Sequence, residues 1–157
     1  MARVIKPPTP LPDLDGSRSV FLAGSIEMGK AVDWQSRVEA ALVDDSDVIV
    51  LNPRRDEWDA SWEQSIDNDL FRAQVEWELA GLEQADVIAC YFAPETKSPI
   101  TLLELGLHAR SGKLIVACPE GFWRKGNVDV VCRRYGATMV KGLEELVLAT
   151  TERLRRQ

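Results

Sequence analysis

A single histidine, His108, and three cysteines are all that this chain offers a transition metal, and neither residue type recurs at a ligating spacing. Cys90, Cys118 and Cys132 form no CxxC pair. Cys90 and Cys118 stand inside or at the end of apolar runs, so buried free thiols are expected. No metal and no cofactor is expected. Positive charge is also scarce, with 19 Lys and Arg against 25 Asp and Glu and a formal net charge of −6. That balance argues against a nucleic acid polymer as partner, since its binders carry a basic face. Small anionic ligands stay open, because backbone amides at a helix N-terminus hold anions even on an acidic protein. No apolar run approaches the ~20 residues that cross a bilayer, so no membrane partner is expected. The opening lacks a signal-peptide pattern, which makes the cytoplasm the expected compartment. Neither GxGxxG nor GxxxxGK(S/T) occurs, so a dinucleotide or P-loop nucleotide is not supported.

What the chain does have is a regular alternation. Its 157 residues suffice for one well-buried core. Residues 1–17 hold Pro7, Pro8, Pro10 and Pro12 and read as an extended arm, and residues 18–157 read as one domain. Short, continuously apolar segments at Ser19–Ala23, Asp47–Leu51, Asp86–Phe92 and Lys113–Cys118, with a weaker one at Thr138–Val140, predict five strands. Helical spacing separates them at Asp33–Val43, Asp69–Gln84, Pro99–Ser111 and Val128–Tyr135, and a last helix spans Gly142–Arg155. Apolar strands alternating with helices predict an α/β fold, a single doubly wound parallel five-stranded sheet of the flavodoxin or Rossmann kind. Its ligand site should lie at the carboxyl ends of the strands.

Three segments should converge there: Gly24-Ser25-Ile26-Glu27, the turn Asn52-Pro53-Arg54-Arg55-Asp56, and the loop from Ala93 to Pro99. On Asp69–Gln84, Glu78 shares a stripe with Phe71, Val75 and Leu82. A carboxylate there must be paired, face a cavity, or reach water at the stripe's edge. Ser98-Pro99 is a good helix start, with serine at the cap and proline in the first turn. Glu104 follows as the only charge between Lys97 and His108. Thr101-x-x-Glu104 also matches a capping box, in which Glu104 would merely bond a backbone amide. His108 reads as a packing or hydrogen-bonding residue. Arg54 and Arg55 could meet an anionic ligand or form weak surface ion pairs. Trp58 and Trp62 could stack on a planar base or pack their own loop.

Taken together, residues from about Ser19 to Cys118 resemble the nucleoside 2-deoxyribosyltransferase-like family. The likeness rests on Phe21-Leu22-Ala23-Gly24-Ser25, Asn52-Pro53, Ala85-Asp86-Val87-Ile88 and Glu104-Leu105-Gly106. It implies that Glu104 is the nucleophile and that Glu78, eight residues before Asp86, is its partner carboxylate. Phe21, Gly24, Ser25, Asn52, Arg54, Asp56, Trp58 and Ser98 are the substrate-binding candidates. The chain departs from the family's transferases in carrying Ser98 where they have an aspartate. Ser25 and Ser98 match a sister branch that hydrolyses deoxynucleoside 5′-monophosphates. That branch, however, has a basic turn where this chain has Ile26-Glu27-Met28-Gly29, and a tyrosine where Phe21 stands. An acidic Glu27 would repel a phosphate. The resemblance implies a cofactor-free enzyme that cleaves an N-glycosidic bond through a glycosyl-Glu104 intermediate, passing the sugar to another base or to water. It also implies a homo-oligomer. A non-catalytic nucleotide-binding sensor built on the same domain is the competing reading.

Overall fold

The computed structural model describes residues 1–27, 31–55 and 61–157. Among the described residues, six parallel strands form one sheet: β1 (Arg3–Ile5), β2 (Arg18–Gly24), β3 (Val48–Leu51), β4 (Val87–Tyr91), β5 (Leu114–Ala117) and β6 (Thr138–Val140), in the order β1-β3-β2-β4-β5-β6. The helices are α1 (Gln35–Leu42), α2 (Asp69–Gln84), α3 (Pro99–His108), α4 (Lys125–Tyr135) and α5 (Leu143–Arg156). The five expected strands are all present, and the sheet gains a sixth. Arg3–Ile5, inside the segment read as an extended arm, pairs with Ile49–Leu51 at the sheet edge. Three residues carry too little periodicity to announce a strand, and the prolines that follow are compatible with an edge position.

Strands β2 to β5 are buried on both faces, which is why they read as unbroken apolar runs. Phe21, Ala23, Ile49, Leu51, Ile88, Cys90 and Val116 pack on one side against Trp77 and Leu82 of α2, Leu105 of α3, and Val128 and Cys132 of α4. Val20, Leu22, Val50, Val87, Ala89, Ile115 and Ala117 pack on the other against Trp34, Val38 and Leu42, and Leu146 and Leu154 of α5. All three cysteines are buried free thiols. Among the described residues, no helix is long and apolar enough to cross a membrane.

Gly24, the last residue of β2, stands where there is no room for a side chain. A Cβ built there would stand 2.4 Å from the Trp34 ring and 2.6 Å from the Tyr91 carbonyl oxygen. Trp34 is wholly buried, and its Nε1–H donates to the Ser25 carbonyl at 3.2 Å, so the ring has nowhere to retreat. Gly24→Ala is therefore expected to destabilise the protein by on the order of 3 kcal/mol. The check is the urea midpoint, which should fall with little change in slope.

Candidate active site

The chain winds outward from β2 to β3 and then crosses to β4 on the other side of β2. The order β3-β2-β4-β5-β6 is the flavodoxin-like one, and its switch point lies between β2 and β4. At that point Gly24 and Tyr91 stand side by side at the carboxyl ends of the two strands. A cavity of about 380 Å³ opens beside them. Its walls include Gly24, Ile26 and Glu27, one side of α2 (Phe71, Val75, Glu78), and the start of α3 (Ser98, Thr101, Glu104). The described lining residues include three carboxyls, from Glu27, Glu78 and Glu104, and no lysine, arginine or histidine.

Of the stripe on α2, Phe71, Val75 and Glu78 line this cavity, while Leu82 packs against the sheet. The face buried against the sheet is set by Gln74, Trp77, Gly81 and Leu82, one step around the helix from Phe71, Val75 and Glu78. Glu78 thus faces a cavity, one of the arrangements that makes a carboxyl tolerable on an apolar stripe. Glu104 is 7% exposed. The capping-box alternative for it fails on geometry, because α3 begins at Pro99 and Thr101 lies inside the helix.

Burial disfavours the charged form of both carboxyls. It pushes Glu104 up to about 8, with the negative charge of Glu78 adding to the shift. Glu78 is pushed up to about 7, again chiefly by burial, while a hydrogen bond from Gln74 and the charge of Arg55 pull it back. Gln74 is itself buried and tied on both sides: Arg55 Nε donates to its Oε1 at 2.9 Å, and its Nε2 donates to the Pro53 carbonyl at 3.3 Å. The result is two interacting carboxyls that both keep protons into the neutral range. Gln74 hides in the sequence because a glutamine on a helix reads as a solvent-facing residue.

Ser98 occupies the cap position of α3 but does not cap it through its side chain, contrary to expectation. Its backbone is left-handed (φ 45°), and its hydroxyl lies 2.6 Å from Ser25 Oγ and 2.8 Å from Thr96 Oγ1. The Ala93 N–H donates to Ser25 Oγ at 2.9 Å, and Thr96 Oγ1 donates to the Ala93 carbonyl at 2.8 Å. One run of hydrogens satisfies the cluster: Ser25 to Ser98, Ser98 to Thr96, Thr96 to Ala93. Capping falls to Glu27, whose Oε1 accepts from the Lys97 N–H at 2.9 Å and the Ser98 N–H at 2.8 Å.

The structure brings Gly24, Ser98, Glu78 and Glu104 to the cavity, with Ser25 buried directly behind Ser98. Trp62 also lines it, with the Arg55 guanidinium 4.6 Å from its ring centroid. Other candidates serve the frame. Phe21 is wholly buried under α2, its ring 6.2 Å from that of Trp77. Asn52 is buried, accepting from the Arg54 N–H at 2.9 Å and donating to Glu39. Arg54 donates to the carbonyls of Ala31 and Val32 at 2.8 and 3.2 Å. Asp56 and Trp58 lie outside the described residues.

A family model described as nucleoside 2-deoxyribosyltransferase like matches residues 17–122, a span that runs from β2 past β5 and contains every residue of the carboxyl pair and the hydroxyl cluster. No curated protein matches the chain.

Proposed function

The chain belongs to the nucleoside 2-deoxyribosyltransferase-like family, and from that premise we propose that it cleaves the N-glycosidic bond of a 2-deoxynucleoside and passes the sugar to a second base. The observation that carries this reading is the Glu78–Glu104 pair, two mutually interacting carboxyls with raised values in one cavity at the sheet's switch point. A double displacement at a glycosidic carbon needs a carboxylate that attacks and a proton for the leaving group, and this pair holds both.

In the proposed reaction a Glu104 carboxylate oxygen attacks C1′ on the face opposite the base. The C1′–N bond breaks, its electron pair leaves on the base nitrogen, and that nitrogen takes the proton held by Glu78. A nitrogen of the second base then attacks C1′, the ester C1′–O bond breaks, and Glu104 regains its carboxylate while the released proton returns to Glu78. Gln74 and Arg55 favour charge on Glu78. Attack needs the reverse placement. A base nitrogen accepting a hydrogen bond from Glu78 favours its protonated form and so supplies that bias. The apolar wall of Phe71, Val75, Leu79 and Leu103 suits the planar base.

The homo-oligomer implied by the resemblance belongs to the same proposal. Ile100, Leu103 and Leu107 stand on one side of α3 at the cavity rim and are 58%, 60% and 56% exposed, a stripe that a second copy would cover.

The test is incubation of the purified protein with a panel of 2-deoxynucleosides, with and without an added base, followed by chromatography. New nucleosides that form only with the acceptor support transfer. Free base without an acceptor assigns the chain to hydrolysis, and release from no substrate favours the sensor reading.

A further inference from the structure

We propose that Glu27 makes the site select an unphosphorylated sugar, its carboxylate standing as a built-in anion on the Lys97 and Ser98 amides at the entry to α3 and turning away a substrate phosphate. The substrate class rests on the glycosyl-transfer reading above, whereas the occupation of the amides by Glu27 does not.

A helix N-terminus presents unsatisfied N–H groups and partial positive charge, and is the usual backbone seat for a phosphate. Here α3 starts on the cavity wall, with Ser98 and Pro99 among the lining residues. The last two amides before Pro99, those of Lys97 and Ser98, donate to one oxygen of Glu27, a side chain more than 70 positions upstream of Ser98. A serine at the cap position could have capped locally and stayed neutral. Instead the Ser98 hydroxyl is drawn into the run with Ser25 and Thr96, whose hydrogens end on the Ala93 carbonyl. Both backbones that make the contact are left-handed, Glu27 at φ 48° and Ser98 at φ 45°, and such conformations persist only where the surroundings hold them. The seat is filled at some conformational cost.

The rest of the cavity agrees. Its described lining offers three carboxyls and no cationic side chain to a phosphate, and the Lys97 ammonium lies 4.3 Å from the Trp123 ring centroid. The Arg54 guanidinium is directed to the carbonyls of Ala31 and Val32. A dianion brought here would lose hydration, find the Lys97 and Ser98 amides taken and face the Glu27 carboxylate. A sugar hydroxyl meets the opposite situation. Glu27 Oε1 takes both amides, and Oε2 accepts from no described residue, so a hydroxyl can donate to it while a phosphate cannot.

The experiment follows the Lys97 and Ser98 amides by ¹⁵N–¹H NMR while inorganic phosphate is added to the protein, to Glu27→Ala and to Glu27→Gln. The expected result is no movement of these two resonances in the natural protein at millimolar phosphate. Saturable shifts are expected in Glu27→Ala, with weaker ones in Glu27→Gln, whose neutral carbonyl still competes for the amides. The remaining resonances report whether each variant is folded, and if the alanine variant is not, the glutamine variant decides. Saturable phosphate shifts in the natural protein, or none in the folded variants, overturn the proposal. In a parallel assay, the preference for a deoxynucleoside over its 5′-monophosphate should fall by on the order of 100-fold in Glu27→Ala. If no glycoside is cleaved by any form, the reaction reading fails, while the amide titration still decides the role of Glu27.

Discussion

Glu104→Gln is expected to lower kcat/KM for base release by about 10⁴-fold or more, the scale on which removing a covalent nucleophile acts. The amide has nearly the shape of the carboxyl, so the packing around α3 should survive, but an amide oxygen does not form the glycosyl ester. Glu78→Gln should cost less, about 10²- to 10³-fold, because it removes a proton donor and leaves the nucleophile. The two losses should not add, since both residues serve one displacement. The pattern of a large loss at Glu104 and a smaller one at Glu78, measured on the same nucleoside, separates nucleophile from proton partner. Equal and modest losses at both positions would reduce the pair to a binding role.

Stability should fall as the pH rises from about 5 to about 8.5. Both carboxyls are raised from 4.5, Glu78 to about 7 and Glu104 to about 8. A carboxyl raised on folding binds its proton more tightly in the native state than in the unfolded chain. Between 4.5 and those folded values the native state therefore holds more protons, and stability declines with pH through that window. Each unit corresponds to about 1.4 kcal/mol, so Glu104 alone contributes a loss of at most about 5 kcal/mol, less where water enters the open cavity. Chemical denaturation across this range should show the decline, and Glu104→Gln should flatten it and be more stable than the natural protein at pH 8.5. A variant that gains stability while losing turnover is what a strained active site predicts. A flat profile in the natural protein would mean that the two carboxyls are better solvated than their burial indicates.

The parts of this protein that the sequence displays well are those governed by burial. Strands covered on both faces leave runs such as DVIVL and DVIACYF, and the alternation with helices leads to a parallel sheet without further information. Arg3–Ile5 escapes because a three-residue edge strand has no period to read, and four nearby prolines dominate the segment. Glu78 shows how far helix phase can be taken. The stripe it shares with Phe71 and Val75 is real, but a sequence cannot say whether an apolar stripe meets a sheet or a cavity. The Glu27 contact is harder still. Its charge is visible, and so is its conflict with a phosphate, but a hydrogen bond to Ser98 across some 70 residues depends on where two loops end. Ser98 is a cap by every local rule, yet its hydroxyl pairs with that of Ser25 because the switch point brings β2 and β4 together.

In the proposed reaction Glu104 bonds covalently to the sugar, and mass spectrometry of the protein quenched during turnover of a 2-deoxynucleoside detects that bond. Digestion should yield the peptide that carries Glu104 heavier by one 2-deoxyribosyl group, in an amount that falls when an acceptor base is added and vanishes in Glu104→Gln. Release of base with the sugar attached to a different residue, or with no adduct under conditions that trap a slow-reacting substrate analogue, would contradict it.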